Sequence, residues 1–485
     1  MAFIRKVKTA SGATAVQIAH KAYGRIVRIE HIGSAHNEDD LKLLLTLARK
    51  RLFAGQLSLF QNDSTLDDPS SKIVLRRSYS GLLYRVLDSQ YQELGFDDLE
   101  DAHFKYLCIA RLVEPVSKLD SIRVLTELGI DGIGKDMLYR SLKRVIKKDY
   151  RDTISTKCYA HAAAKGISLV LYDVTTLYFE IQKEDAYRKP GMSKERRLEP
   201  QIIVGLLVDA KGFPLGLHSF EGNTAETNTI MPVVAEFKKQ HNITVPITVV
   251  ADAGMLSAKN LDALVGAGYH YIVGSRMNKI PYDIVEYQKS DQELVDGQII
   301  TTKQDNHRII YQYKEKRARL DLHNIKKQIK KARVIAEGKA SAKKAKFLNI
   351  KSKTTTLNQA LIDKAKSLAG IKGYVTNLRD EPDSQIIAYY HQLFNVEASF
   401  RMCKSDLRAR PIFHHLRDSI EAHLTIVLAA LAMGREIERK TGLSIKQFVK
   451  ELKPVRTGIV VVGHTKYQAE EEVSLDIAKL LTLLV

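Results

Sequence analysis

The chain has 485 residues, 45% of them hydrophobic, and carries 75 Lys+Arg against 56 Asp+Glu, a formal net charge of +19. That length exceeds one ordinary hydrophobic core, so two to four domains are expected, and that apolar content excludes a wholly disordered chain. The charge favours a polyanionic partner, nucleic acid ahead of a membrane surface, although a basic enzyme of unrelated activity would carry it too.

Residues 1–60 open with alternating segments, "AVQIAHKAYGRIVRIEHIG", which predict two or three strands. "HNEDDLKLLLTLARKRL" then predicts a helix capped by Asn37, with acidic residues in its first turn. Residues 61–79 begin rich in Asp and Ser and read as a linker. The opening "MAFIRKVKTASGATAV" has no long apolar stretch of the signal-peptide kind. Cys108, Cys158 and Cys403 are far apart and form no C-x-x-C pair, which fits a reducing compartment and suggests no zinc site. The apolar run "LTIVLAALAM" (424–433) falls short of the roughly 20 residues a bilayer span needs. These features together predict a cytoplasmic protein with no membrane partner.

From 80 to 165 the period is helical. "DAHFKYLCIARLV", "SKLDSIRVLTELG" and "GKDMLYRSLKRVIKKDY" are amphipathic, with turns at "EPV" and "GIDGIG". A short helix, a Gly-containing turn and a basic second helix resemble a helix-turn-helix. The second helix carries Lys135, Arg140, Lys143, Arg144, Lys147 and Lys148. The region is either a DNA-binding element or an ordinary helical bundle with a solvated basic face.

Residues 166–276 read as strands and helices in α/β order. "ISLVLYDVTTLYFE", "PQIIVGLLVDAKG" and "FPLGLHSFEG" are successive strands, the last two joined as a hairpin through "DAKG", where Asp209 serves the turn. "GNTAETNTIMPVVAEFKKQH" predicts a helix with Asn223 and Glu226 at capping-box spacing. "VPITVVADAG", "SAKNLDALVGAG" and "YHYIVGSR" then give strand, helix and strand, and so a mixed sheet. Residues 277–370 break the rhythm with polar strands and a strongly basic stretch over 314–353. They read as an inserted α+β subdomain, because "IKGYVTNL" resumes the sheet. Long helices over about 383–404 and 419–441 complete the core in 371–441, and 442–485 is a C-terminal segment.

Asp173 interrupts the apolar strand "LVLYDVTTLYFE", where an isolated carboxylate is costly unless it is paired or bound to metal. Asp252 ends "ITVVAD", followed by small residues that admit close approach of a metal or phosphate. Glu397 neighbours the inward stripe Leu393, Val396 and Phe400 on its helix and can point at the sheet. Converging, the three form a hard oxygen site suited to Mg²⁺ or Mn²⁺. Two such ions can activate an attacking oxygen and stabilise a leaving oxygen at a phosphodiester. His414, His415 and His423 are expected to pack or hydrogen-bond at the surface rather than bind metal.

These motifs resemble the D-D-E insertion-sequence transposases of bacteria, in the group marked by a Y-x2-R-x3-E-x6-K signature. Tyr390, Glu397 and Lys404 hold the Y, E and K positions, and Leu393 stands where the R would be. "LYDVTTLYFE" resembles the family's first-Asp strand, "VVADAGMLSAKNL" its second-Asp segment, and "EPQIIVGLLVDAKGFPLG" with "EGNTAET" the stretch between. The likeness covers about 160–435. It implies a ribonuclease-H-like fold, an α/β mixed-sheet catalytic core with an inserted subdomain; the mostly helical region ahead of it, behind short strands, is read from the sequence pattern alone. It implies Asp173, Asp252 and Glu397 as catalytic ligands of two Mg²⁺ or Mn²⁺ ions, and Tyr390 and Lys404 as contacts to the DNA backbone. Their seven-residue spacings put Tyr390, Glu397 and Lys404 on one helical face. Arg401, one turn after Glu397, is a candidate for the missing cation. Arg276 and the 314–353 stretch are candidate backbone contacts, the alternative for the stretch being a solvated helix.

The expected activity is that of a transposase that binds its element's inverted-repeat ends. It would hydrolyse a phosphodiester and join the exposed 3′-hydroxyl to target DNA by two-metal-ion transesterification, as a nucleoid-associated homodimer. Some relatives stack a flipped base on tryptophan. This chain has no Trp, so that device is absent or uses another side chain. The rival readings are a nuclease of the same fold that cuts without joining, and a catalytically inactive DNA-binding or domesticated derivative.

Overall fold

The computed structural model describes residues 2–9, 12–22, 24–52, 73–180, 184–191, 199–243, 246–253, 257–275, 284, 293–303, 306–339, 346–351, 354–462 and 465–484. The chain divides into two compact units, Met1–Leu75 with Val460–Tyr467, and Arg76–Ile459 with Gln468–Val485.

In the first unit, strands Ala2–Lys8, Thr14–Ala22 and Arg25–Ala35 form an antiparallel meander backed by the helix Glu38–Leu52. Val16, Ile18 and Ala48 are its buried core. Asn37 caps the helix as its sequence position suggests, its Oδ1 accepting from the Asp40 N–H at 2.8 Å.

The second unit is built on an eight-stranded mixed sheet. Its strands are β1 (Leu169–Tyr178), β2 (Gln201–Asp209), β3 (Pro214–Glu221), β4 (Thr248–Ala251), β5 (His270–Gly274), β6 (Ile299–Lys303), β7 (Arg308–Tyr313) and β8 (Ile371–Thr376). They lie in the order β6-β7-β8-β5-β4-β1-β2-β3. β1, β2 and β3 are each antiparallel to the next, β4 and β5 run parallel to β1, and β8, β7 and β6 add on antiparallel. The apolar runs of β1, β2 and β4 are buried, as expected of central strands covered on both faces.

The predicted insertion is corrected at its start. β6 and β7, which read as strands of an inserted subdomain, extend the main sheet through β8. Their sequence misleads because these strands at the periphery of the sheet are only partly buried: β6 has no buried residue and β7 only Ile310 and Tyr311. The segment with a small core of its own begins at the helix Glu315–Ala336. Ile325 and Ala332 pack there with Phe347 and Ile362 from the following hairpin and helix. Lys316, Lys326, Lys327, Lys330 and Lys331 face outward.

The helical region ahead of the sheet shares the sheet's hydrophobic core. Its helices include Ala102–Val113, Ser121–Glu127, Lys135–Lys147 and Tyr150–Ala163, and they surround the helix Arg417–Thr441. That helix is buried from Ala422 to Gly434, which accounts for its membrane-like composition as a core helix. Among the described residues no helix is long and apolar enough to cross a membrane. The helix-turn-helix expectation changes in two respects. Seven residues separate Glu127 from Lys135, more than the tight turn of that motif. Arg144 is also spent internally, its Nε and Nη2 each donating to Asp101 at 2.8 Å, while Lys135, Arg140, Lys143, Lys147 and Lys148 stay exposed.

Asp101 organises this region. Its side chain is 1% exposed, caps the helix Ala102–Val113 through the His103 and Phe104 N–H groups, and accepts from Ser141 and Tyr150. Burial alone would raise its pKa. The hydrogen bonds from Arg144, the Phe104 N–H and Ser141 outweigh burial and hold the carboxyl below its ordinary range. Asp101→Ala is expected to cost about 3 kcal/mol in denaturant unfolding, since it strands Arg144 and the cap donors. A depressed carboxyl stabilises the fold above its unfolded pKa of about 4 and loses that contribution as pH falls through the folded value. The gap between wild type and Asp101→Ala should therefore be full near neutrality and shrink below about pH 4.

Candidate active site

β1 and β4 pair in parallel register, with Leu169 opposite Thr248, Val170 opposite Val249 and Leu171 opposite Val250. Carried two residues further, past the end of β4 at Ala251, that register would bring Asp173 level with Asp252, with backbones about 4.8 Å apart. β4 ends at Ala251 while β1 continues to Tyr178, so the flank of β1 opens where Asp173 sits. Asp173 is accordingly half-buried at the edge of a cavity, not sealed in the core.

The cavity measures about 230 Å³ and is lined by Asp173, Asp252 and Glu397, with Tyr390, Lys372 and Phe394 among its walls. The structure thus brings the three predicted carboxylates together from two strands and a helix. Their donor chemistry suits a hard divalent cation. Among the described residues no three His, Cys, Asp or Glu side chains form a ready-made metal cage, so the fit is one of donor type and facing rather than of closed coordination.

Glu397 is carried by the helix Leu393–Arg401, whose Val396 and Phe400 are buried against the core. The β2–β3 turn holds that helix in place. Asp209 shapes the turn, its Oδ1 accepting from the Lys211 and Phe213 N–H groups at 2.8 Å each. Asn395 donates to the Ala210 carbonyl and Ser399 to the Gly212 carbonyl, both at 2.7 Å. Gly212 has φ +85° and could not carry a Cβ, which would meet Arg435 Nη2 at 2.5 Å and the Asn395 carbonyl at 2.9 Å.

Tyr390 lies on the preceding helix, Asp383–His391, and its hydroxyl donates to Asp252 Oδ1 at 3.0 Å. Asp252 Oδ1 also accepts from the Ala253 N–H at 2.7 Å, which fixes the carboxylate's orientation. Burial, followed by the charge of Asp252, raises the tyrosine's pKa, so it remains a donor.

The predicted single helix over 383–404 is in fact two short helices meeting at Gln392, followed by a π-helical turn, Met402–Asp406. The Leu407 N–H reaches the Met402 carbonyl at 2.9 Å, five residues back. Tyr390 and Glu397 therefore share the cavity, while Lys404 lies outside its lining, near the Phe400 ring. Leu393, at the departure from the signature, lines the cavity with an apolar side chain. Arg401 lies exposed over the ring of Phe394, a cavity residue, at 5.7 Å. Arg276 lies outside the described residues. His414 and His423 both contact Lys118 Nζ, at 2.8 and 2.7 Å, and His415 is exposed.

The residue that sequence reasoning missed is Lys372. It projects from β8 into the cavity, its ammonium 4.3 Å from the Tyr390 ring centroid and 5.6 Å from that of Tyr374. Burial and then Arg317 lower its pKa, against the pull of Asp252 and Glu397. A lysine within the otherwise apolar strand "IKGYVT" was the available signal.

The transposase DDE domain family matches residues 164–433, more than half of the chain and all of the cavity. The chain belongs to that family. It is a DDE transposase, an enzyme that acts on DNA. A search of curated proteins returns no significant match. A solved piggyBac transposase synaptic complex with hairpin DNA is similar at 12% identity over 77% of this chain and 69% of that one. Its TM-score of 0.39 is too low to carry an argument about geometry.

Gly274 sets the Tyr390–Asp252 contact in this DDE transposase, because a Cβ there would stand 2.7 Å from the tyrosine hydroxyl and 3.1 Å from Ala253 Cβ. Gly274→Ala should push the hydroxyl off Asp252. Losing one such hydrogen bond, about 1–1.5 kcal/mol, corresponds to roughly a tenfold fall in DNA cleavage rate. Tyr390→Phe removes the same bond, so the double variant should be no slower than either single one.

Proposed function

We propose that this transposase binds the inverted-repeat ends of its own insertion element, hydrolyses a phosphodiester there and joins the exposed 3′-hydroxyl to target DNA. The observation that carries this reading is one cavity lined by Asp173 on β1, by Asp252 one residue past the end of β4, and by Glu397. The strand order β3-β2-β1-β4-β5, antiparallel and then parallel, supports a ribonuclease-H-like core.

Asp173, Asp252 and Glu397 would hold Mg²⁺ or Mn²⁺, two ions in the full site. Bound there, the ions supply activation of the attacking oxygen and charge stabilisation of the leaving one. The chain's own groups do the rest. The β1–β4 register fixes the two aspartates before DNA arrives, and the turn-clamped helix fixes the glutamate, so little reorganisation accompanies reaction. Tyr390 orients Asp252 through its hydroxyl. Arg401, at the cavity rim, and the outward lysines of the Glu315–Ala336 helix are placed to receive phosphates, and Lys404 contributes from outside the cavity. Joining two ends requires two active sites, so the working form is a homodimer on DNA.

Asp173→Asn is expected to abolish divalent-ion-dependent cleavage, by at least about three orders of magnitude, while gel-shift binding of duplexes carrying the sequences that flank the coding region survives. Cleavage at the wild-type rate would remove the assignment. Supplying pre-cut ends tests joining separately: cleavage without a joined product would identify a nuclease instead. Replacing Lys326, Lys327, Lys330 and Lys331 with Gln should weaken DNA binding and flatten its dependence on salt by up to about four in log–log slope.

A further inference from the structure

A cavity lined by three carboxylates repels the polyanion it has to receive, unless a cation stands among them. Lys372 is the lysine in its lining. It rises from a strand rather than a loop, which limits its movement, and it is half-buried in the cavity that Asp252 and Glu397 also line, without forming a direct ion pair with either among the described residues. The Tyr390 ring holds it instead, with the ammonium 4.3 Å from the centroid. The same tyrosine's hydroxyl is committed to Asp252. One aromatic side chain thus orients a carboxylate with its edge and a cation with its face. On the opposite wall Leu393 offers no charge.

We propose that Lys372 binds the phosphate at the cleavage junction, its ammonium held on the Tyr390 ring and kept off the carboxylates. A salt bridge to Asp252 or Glu397 would use up both partners. Stacking on tyrosine leaves the carboxylates to divalent ions and the three ammonium hydrogens to a non-bridging phosphate oxygen. Gln312 of β7 pairs with Lys372, and the Lys314 N–H donates to the Gly370 carbonyl at 2.9 Å, so β8 carries Lys372 close to the start of the Glu315–Ala336 helix.

This inference rests on the transposase site proposed above, and its test is arranged so that the two fail separately. The cleavage junction is first mapped with the wild-type chain, and duplexes are made with an uncharged methylphosphonate at that phosphate. Affinities are measured without added divalent ions, so binding alone is read. Lys372→Gln is expected to weaken binding of the normal duplex about tenfold and to lower the salt slope by about one. Neutralising both the phosphate and the lysine should cost no more than either change alone. Mn²⁺ titrated into the DNA-free chain should bind Lys372→Gln at least as tightly as wild type, because a nearby positive charge has been removed. Additive losses, or an unchanged salt slope in a variant with wild-type melting temperature, overturn the proposal. If glutamine destabilises the fold, Lys372→Met keeps the apolar stem on the ring and is read in the same way. Asp173→Asn that still cleaves would overturn the site itself, whereas normal loss of cleavage in that variant alongside additive Lys372 effects would overturn only the lysine's role.

Discussion

The parallel pairing of β1 with β4 is the constraint on which the rest of the site depends. Three paired residues, Leu169 to Leu171 against Thr248 to Val250, bring the end of β4, and Asp252 just beyond it, beside β1, and both aspartates line one cavity. A slip of one residue would turn one aspartate to the opposite side of the sheet. The register is secured by burial, since every paired residue here is apolar or threonine and sealed within the core. The chemistry of the cavity is thus paid for by hydrophobic packing below it.

The third carboxylate depends on a different device. Glu397 sits exposed on a helix only nine residues long, and such a helix does not hold its own orientation in water. Its inner face is anchored by Val396 and Phe400, and its direction is set by the β2–β3 turn through Asn395 and Ser399. Arg435 of the central helix reaches the same turn, donating to the Lys211 carbonyl at 2.7 Å. Strand, turn, short helix and central helix are therefore coupled at one point, and of the groups named as locating the glutamate Val396 is the one that also lines the cavity.

Much of this was legible in the sequence. The strands around Asp173 and Asp252 show as apolar runs interrupted by one acid, and the "DAKG" hairpin shows in its turn residues. Tyr390 and Glu397 group in one cavity as their spacing suggests, although the helix breaks between them at Gln392. What was not legible depends on non-local pairing or on local departures from regular winding. β6 and β7 join the sheet through a strand some sixty residues later, which no local pattern reports. Arg144 reads as a surface cation until Asp101, far back in the chain, is seen to claim it. Lys372 shows in sequence as one lysine in an apolar strand, but its place beside the rings of Tyr374 and Tyr390 shows only in the fold.

The π-helical turn after Arg401 bears on how linear motifs should be read. Each residue of a regular α-helix advances about 100° around the axis, so one extra residue in a turn rotates everything beyond it by that amount. A motif counted along the chain works as an angular ruler only while the winding is uniform. Here the ruler is already interrupted at Gln392, where two helices meet, and is displaced again at Met402–Asp406. The dislocation lets Met402, Cys403 and Leu407 all remain in the core. The lysine seven places after the glutamate is thereby phased with a different part of the surface from the one its spacing names.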